Sequence, residues 1–240
     1  MPKLITHVET RPAQEQDAVA TTDIHQALAD KGLTPAQHLV DGAYTSADLV
    51  ITSQQEHGID LVGPLKPGSC WQARTEGAFE VGAFAINWEQ ETVTCPAGKR
   101  NHGWRAGHDR HGKPVINVSF QGNDCQPCLL KQRCTKRKTG GRGLSFRPQA
   151  AYAILQRQRA FQQTDAFHDL YALRAGVEGV ISQAAFTLGM RRARYRGSAK
   201  VHFQHLMTAA AINLRRTIDW FLGVPTATTR TTHFAALALT

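Results

Sequence analysis

Two acidic residues occupy positions at which a carboxylate could bind a metal ion or a phosphodiester. Asp41 closes the apolar run of residues 37–40, and the carboxyl end of a buried strand is where open α/β sheets place ligand-binding groups. An acid that initiates a helix before a glycine is the alternative interpretation. Glu178 lies between two glycines of a predicted helix. Because glycine has no side chain, a metal ion or a phosphodiester could approach the backbone closely there. The alternative interpretation is a helix break with a solvated Glu.

Tyr171, Arg174 and Glu178 follow one another at spacings of three and four residues, so they share one face of the predicted helix. An arginine one turn before a metal-binding carboxylate can orient that carboxylate. Its planar guanidinium can also contact a phosphate. The spacing therefore predicts that these three side chains belong to one site.

Four of the five cysteines form a second candidate site. Cys95, Cys125, Cys128 and Cys134 follow the pattern Cys-x29-Cys-x2-Cys-x5-Cys, and Cys70 stands apart. An odd number of cysteines in a chain without a secretory signal favours metal ligation over a disulfide framework. Four thiolates in tetrahedral array suit a structural Zn²⁺ ion. Free thiols and an iron–sulfur cluster are the alternatives.

The positive charge of the chain is concentrated in two clusters. The 240 residues include 28 Lys plus Arg against 19 Asp plus Glu, a formal net charge of +9. Residues 99–147 contain twelve basic and only two acidic residues, so the rest is close to neutral. A second cluster interleaves arginines with Tyr195, whose ring could stack on a base. We predict a nucleic-acid partner, with a solvated basic surface as the alternative. The predicted DNA-binding residues are Lys136, Arg137, Lys138, Arg191, Arg192, Arg194 and Arg196.

Predicted strands and helices alternate in the first part of the chain, and they would position these residues. Strand-like runs cover residues 4–10, 37–41 and 59–62, and helical patterns cover residues 14–31 and 46–57. This β-α-β-α-β order predicts an α/β fold with parallel neighbouring strands. No run approaches about 18 apolar residues, and the start lacks the apolar region of a secretory signal. We therefore predict a cytoplasmic protein that does not enter a membrane.

The middle and the end of the chain have different patterns. Residues 63–147 are predicted to be a mostly β and loop insertion, with strands at 84–88, 92–94 and 115–120. Helical periodicity then predicts helices over residues 150–163, 166–188 and 199–221. In the last helix, apolar residues recur at spacings of three and four and predict a stripe that faces the core. The stripe consists of Phe203, Leu206, Ala210, Leu214, Ile218 and Phe221.

The candidate residues resemble those of bacterial insertion-sequence transposases of the DDE class. The pattern Tyr171-x2-Arg174-x3-Glu178 resembles the signature around the final acid of that family. Asp41, in the segment Leu-Val-Asp-Gly-Ala-Tyr, resembles its second acid. Further likenesses are dispersed over most of the chain, at residues 4–10, 95–98, 191–197 and 208–213 and at the later cysteines.

The resemblance implies an RNase H-like fold in which three carboxylates, with Asp41 and Glu178 among them, hold two Mg²⁺ ions. Such ions lie about 3.5 to 4 Å apart, activate the attacking water or 3′-hydroxyl, and stabilise the leaving oxygen at a phosphodiester. Transposon ends and target DNA are the implied partners, and self-association is a further expectation. On this basis residues 1–62 and 148–223 form the core, residues 63–147 the insertion and residues 224–240 a tail.

Three departures from the family pattern shape the functional prediction. Ala185 stands where the family has a lysine, and the usual Gly-Tyr pair after the second acid reads Gly-Ala-Tyr from Gly42. The first acid of the family belongs to a strand before the one that residues 4–10 resemble. Asp17 and Asp23 fall in the following helix and are not expected to replace it. We therefore expect a truncated transposase that is inactive alone, or alternatively a non-catalytic DNA-binding zinc module derived from a transposase.

Overall fold

The computed structural model describes residues 2–65, 68 and 70–225. The chain divides into two compact units. Unit 1 joins the chain up to Pro64 with the chain from Phe161 onward, and unit 2 is Leu65–Ala160. Unit 2 is thus longer than the predicted insertion at its carboxyl end. The predicted tail lies outside the described residues from position 226 onward.

The amino-terminal half of unit 1 is a small parallel β-α-β arrangement. A 3₁₀ turn at Asp17–Val19 leads into helix α1 (Ala20–Asp30), which is followed by strand β1 (Gln37–Leu39). Helix α2 (Ala47–His57) and strand β2 (Asp60–Val62) come next, and β1 pairs with β2 in parallel. The Ser46 side chain caps α2 by accepting from the Leu49 N–H, and Gly58 ends the helix with a φ of 68°. The predictions of both helices, both strands and their parallel pairing are confirmed.

The predicted strand over residues 4–10 is wrong, because this segment forms no regular secondary structure and pairs with no strand among the described residues. Its backbone groups bond to side chains of a helix instead. The Ile5 N–H donates to Asn213 Oδ1 at 2.8 Å, and Asn213 Nδ2 donates to the Ile5 carbonyl at 2.8 Å. The Asn213 amide therefore makes the two hydrogen bonds that the backbone of a neighbouring strand would otherwise make with Ile5.

Unit 2 contains two antiparallel sheets. Strands β3 (Ala85–Asn87) and β4 (Thr92–Thr94) form one, and β5 (Gly103–His108), β6 (Pro114–Ser119) and β7 (Gly143–Phe146) form the other in that order. The predicted strands near 84–88, 92–94 and 115–120 are confirmed. Strands β5 and β7 were not predicted, because both begin with a glycine and neither carries a β-branched residue. The buried core consists of Phe84, Val93, Val118, Phe120, Leu144 and Phe146.

Helices complete both units. Unit 2 also contains two short helices, α3 (Gly122–Cys125) and α4 (Lys131–Cys134), and two 3₁₀ turns at Trp71–Arg74 and Val81–Ala83. Helix α5 (Gln149–Phe161) follows β7. In unit 1, α6 (Asp165–Ala172) and α7 (Ala175–Ser182) precede a π-helical turn at Gln183–Thr187 and the long helix α8 (Ser198–Phe221).

The predicted single helix over residues 166–188 is wrong, because the helix breaks between α6 and α7. At the break the backbone bonds tighten to i→i+3 spacing. The Arg174 N–H donates to the Tyr171 carbonyl at 3.0 Å, and the Val177 N–H donates to the Arg174 carbonyl at 2.8 Å. This tightening to 3₁₀-type bonds separates α6 from α7 at Leu173 and Arg174.

The predicted core-facing stripe of α8 is also wrong. Phe203 is 59% exposed, Leu214 64% and Phe221 75%. The buried face of α8 consists instead of Gln204, Thr208, Ala209 and Ile212. Among the described residues, no helix combines the length and the apolar character needed to cross a membrane.

Candidate active site

Asp41 lies just past the carboxyl end of β1, where the sequence predicts it. The preceding Val40 is buried, and its N–H donates to the Val62 carbonyl at 2.9 Å, which extends the pairing with β2. The Asp41 side chain closes the following turn, since its Oδ1 accepts from the Ala43 N–H at 2.8 Å. The other carboxylate oxygen of Asp41, Oδ2, faces Arg174.

Arg174 joins the two predicted acids. Its Nη2 lies 3.4 Å from Asp41 Oδ2, and its Nη1 lies 3.5 Å from Glu178 Oε1. The Arg174 side chain is 26% exposed, that of Asp41 42% and that of Glu178 73%. These distances are long for hydrogen bonds, so the three groups form an open ion-pair cluster that solvent can reach. We call Asp41, Arg174 and Glu178 the acid–arginine cluster.

The glycines that flank Glu178 meet open space. A Cβ atom built on Gly176 or Gly179 would find no heavy atom within 4 Å, leaving aside the backbone of the helix itself. The helix surface at these two positions is therefore not covered by another part of the described chain. The space next to Glu178 is accessible to a ligand.

Tyr171 makes an aromatic contact instead of an ion pair. Its ring stacks on that of buried Phe167, with centroids 5.5 Å apart and planes 6° from parallel. Within the described residues, the phenol makes no hydrogen bond to the acid–arginine cluster. The structure thus brings together three of the four residues that the sequence proposes as catalytic.

Two residues that sequence reasoning missed lie beside the cluster. Asp17 and Tyr44 line one pocket. Burial is the main cause that raises the pKa of Tyr44, and the negative charges of Asp17 and Asp41 raise it further, whereas the positive charge of Arg174 lowers it. Sequence reasoning set Asp17 aside as a helical residue. No local signal could have placed it here, because its position depends on how α1 packs against α2.

The acid–arginine cluster has the donor chemistry for a hard cation but few donors. Carboxylate oxygens suit Mg²⁺, which normally takes one or two carboxylates together with waters and substrate phosphates. In the described part of the chain, no three His, Cys, Asp or Glu side chains are grouped so that they could hold a metal ion. The two acids fit one Mg²⁺ ion in donor type, and they do not by themselves form a two-metal site.

The four predicted zinc ligands line a single pocket in unit 2. They are Cys95, Cys125, Cys128 and Cys134, and each is partly buried. The Arg142 N–H lies 3.5 Å from Cys125 Sγ, and burial raises the pKa of Cys134. The thiols do not form a metal-holding group among the described residues. Zinc therefore stays a prediction.

The basic residues predicted to bind DNA lie in both units. In unit 2, Lys136 Nζ lies 4.6 Å from the centre of the Trp71 ring, Arg137 donates to the Gly141 carbonyl at 3.3 Å, and Lys138 is exposed. In unit 1, the Arg191 guanidinium lies 4.3 Å from the centre of the Phe186 ring. The other three arginines of that cluster, Arg192, Arg194 and Arg196, are exposed.

Comparison with protein families identifies the chain. The profile of a family described as transposase DDE domain matches residues 94–218, a span that includes the four clustered cysteines, Arg174 and Glu178. Asp41 lies outside the matched span. Neither the curated proteins nor the solved structures gave a match. A transposase domain implies DNA as the substrate, and the DDE class generally uses a divalent metal. Because the match covers just over half of the 240 residues, the chain belongs to the transposase DDE-domain family.

Proposed function

We propose that this chain contributes the second and the final catalytic acid of a DDE transposase, in the form of Asp41 and Glu178. The observation that carries the proposal is their meeting on one guanidinium, although 133 residues separate Asp41 from Arg174 in the chain. Two acids that meet at one guanidinium can also meet at a metal ion, because carboxylate oxygens are the ligands that Mg²⁺ takes from a protein. The open space beside Glu178 supports the same function.

The two carboxylates would hold Mg²⁺, and the ion would stabilise negative charge on the phosphodiester oxygens of DNA. Arg174 acts as a positioning residue. Its guanidinium neutralises both acids in the absence of a ligand, and its planar donors can turn to a phosphate oxygen when DNA arrives. Asp41 is kept in place by the turn that its own Oδ1 closes with the Ala43 N–H.

The proposal includes an RNase H-like origin for unit 1. The parallel pair of β1 and β2, joined through α2, supports this origin, since an acid at the carboxyl end of β1 follows the general rule for α/β sheets. Glu178 on a later helix of the same unit is in keeping with it.

A nicking assay tests the catalytic proposal. The full chain is incubated with supercoiled plasmid and Mg²⁺, and nicked product is measured for the wild type and for the variants Asp41→Asn and Glu178→Gln. Nicking by the wild type would overturn the expectation of a chain that is inactive alone, and each variant should then lose at least about 100-fold in rate, because a neutral amide binds Mg²⁺ poorly. The matched control is Glu56→Gln, an exposed acid on α2, which should retain the wild-type rate.

Two results would contradict the proposal. Nicking that survives in Asp41→Asn would show that this acid holds no catalytic ion. A wild-type chain that binds plasmid but never nicks it agrees with the expectation of a transposase that is inactive alone. Titration of the wild type and both variants with Mg²⁺ then decides, because equal Mg²⁺ binding by all three would favour the second candidate function, a non-catalytic DNA-binding zinc module. The observation that supports this second candidate is the gathering of four partly buried cysteines around one pocket of unit 2.

Metal analysis of the purified chain tests the zinc module directly. About one equivalent of zinc is expected in freshly reduced protein, and the double variant Cys125→Ser with Cys128→Ser should lose it. Cys70→Ser is the matched control, because Cys70 is exposed and does not line the pocket. Less than about half an equivalent in the wild type would exclude a structural zinc site.

A further inference from the structure

A groove in unit 1, separate from the acid–arginine cluster, is lined by exposed aromatic and apolar side chains. It has a volume of about 510 Å³ and lies between the end of the π-helical turn and α8. Phe186 is 68% exposed, Phe203 59%, Met207 55% and Tyr195 50%. Large apolar side chains that are gathered and left exposed in this way are typical of a binding surface. We call it the Phe186 groove.

The loop that carries Arg192 and Arg194 forms one wall of this groove and is hydrogen-bonded to α8. Gln204, which is only 8% exposed, accepts from the Arg194 N–H through Oε1 at 2.9 Å. Its Nε2 donates to the Arg192 carbonyl at 3.0 Å. Both polar ends of one buried side chain therefore hold the loop backbone. The arginines and Tyr195 are presented from a positioned loop, which lowers the conformational entropy lost when a ligand binds.

The chain segment that forms the groove carries charge of one sign. Between Glu178 and Asp219 the chain contains seven basic residues and no acidic one. Arg194 lines the groove, and the Arg191 guanidinium lies over the ring of Phe186 at 4.3 Å. A partner must therefore combine negative charge with flat, apolar faces.

Unpaired nucleotides combine these two properties. Their phosphates are anionic, and their base faces are free to stack on aromatic rings, whereas the base faces of a duplex are already stacked inside the helix. We propose that the Phe186 groove binds an unpaired segment of DNA, with bases on Tyr195 and Phe203 and phosphates on the arginines. This inference rests on the proposed function only in taking DNA as the substrate.

Fluorescence anisotropy with the full chain tests the inference. A labelled single-stranded oligonucleotide and its duplex are compared for the wild type, Tyr195→Ala and Phe203→Ala. We expect each variant to lose about tenfold in affinity for the single strand, since one base loses its stacking partner. Affinity for the duplex should stay within about twofold. Tyr195→Phe keeps the ring and should bind the single strand like the wild type.

Leu214→Ala is the matched control, because Leu214 is 64% exposed on the same helix but does not line the groove. The exposure of Phe203 means that its truncation leaves the core unchanged, and circular dichroism checks this.

Equal losses of affinity for single strand and duplex, or no loss in either alanine variant, would overturn the inference and leave the proposed function standing. Self-association that Phe203→Ala abolishes would identify a second copy as the occupant and would also overturn it. A wild type that binds neither form of DNA would overturn the proposed function itself.

Discussion

Acid should destabilise unit 1 through a cluster of three histidines, of which His25 is buried. The His25 side chain on α1 is fully buried, and its Nε2 lies 2.9 Å from His38 Nδ1 on β1. The ring of His57 on α2 lies with its centroid 5.6 Å from that of His25. Burial is the main cause that lowers the pKa of His25 to about 4, and the neighbouring His38 and His57 lower it further. His25 is therefore neutral in the folded chain at pH 7.

The size of the effect follows from linkage between protonation and folding. His25 in the unfolded chain has the ordinary histidine pKa of 6.5, so between pH 6.5 and about 4 the unfolded state binds the proton and the folded state does not. Stability from this group is fully present above pH 6.5 and is lost as the pH falls towards 4. The difference corresponds to about 3 kcal/mol in total, of which about 2 kcal/mol is lost between pH 7 and pH 5. Burial also lowers the pKa of His38 and adds to the loss.

Urea unfolding followed by far-ultraviolet circular dichroism measures this dependence. Unit 1 contains α1, α2, α6, α7 and α8, so the helical signal reports mainly on that unit. The variant His25→Gln has no titratable group, and its amide can still bond to His38. We expect it to lose about 2 kcal/mol less than the wild type between pH 7 and pH 5. His168→Gln, an exposed histidine of the same unit, should behave like the wild type.

The reasoning would be refuted by a wild-type stability that stays flat from pH 7 to pH 5. It would equally be refuted if His25→Gln lost as much stability as the wild type over that range. Nuclear magnetic resonance of the histidine ring protons gives an independent check, since the His25 signal should not titrate above about pH 5.

Three further outcomes are expected. Asn213→Ala removes both hydrogen bonds to Ile5 and should lower the unfolding free energy by about 2 kcal/mol in urea, with faster proteolysis of the amino-terminal segment. Gly63→Ala places a Cβ 2.5 Å from a backbone oxygen at the end of β1 and should destabilise by about 2 kcal/mol or more in the same assay. Arg174→Gln removes the positive charge that lowers the pKa of Tyr44, so the phenol should titrate at higher pH by ultraviolet absorbance, with Tyr44→Phe as baseline.

Elements with strong local signals were predictable from the sequence. Helix α2 has a serine cap at Ser46 and a left-handed glycine at Gly58, and both work within a few residues of the chain. The short strands on either side of it carry apolar runs, of which Val40, Leu61 and Val62 are buried. Residues 4–10 have an equally good strand composition, but a strand also needs a neighbour. Asn213, more than 200 residues away, takes that place, and no local pattern could reveal it.

The candidate site was likewise predictable only in part from the sequence. Residue type and spacing were enough to select Asp41, Arg174 and Glu178, because an acid after a strand and an arginine one turn before an acid are local features. The ion pair between Arg174 and Asp41 depends on the tertiary fold and could only be proposed through a family resemblance. Asp17 was set aside because its helical context hides its closeness to Tyr44.

The orientation of α8 shows why hydrophobic periodicity failed there. The helix buries Gln204 and leaves Phe203 beside it 59% exposed, the reverse of what transfer free energies alone would favour. Burying the amide costs little, because both of its polar ends are bonded to the arginine-bearing loop. The rotation that aims Gln204 at this loop turns the aromatic side chain outward. The two hydrogen bonds of the Gln204 side chain, and not the apolar residues, therefore determine which face of α8 is exposed to a ligand.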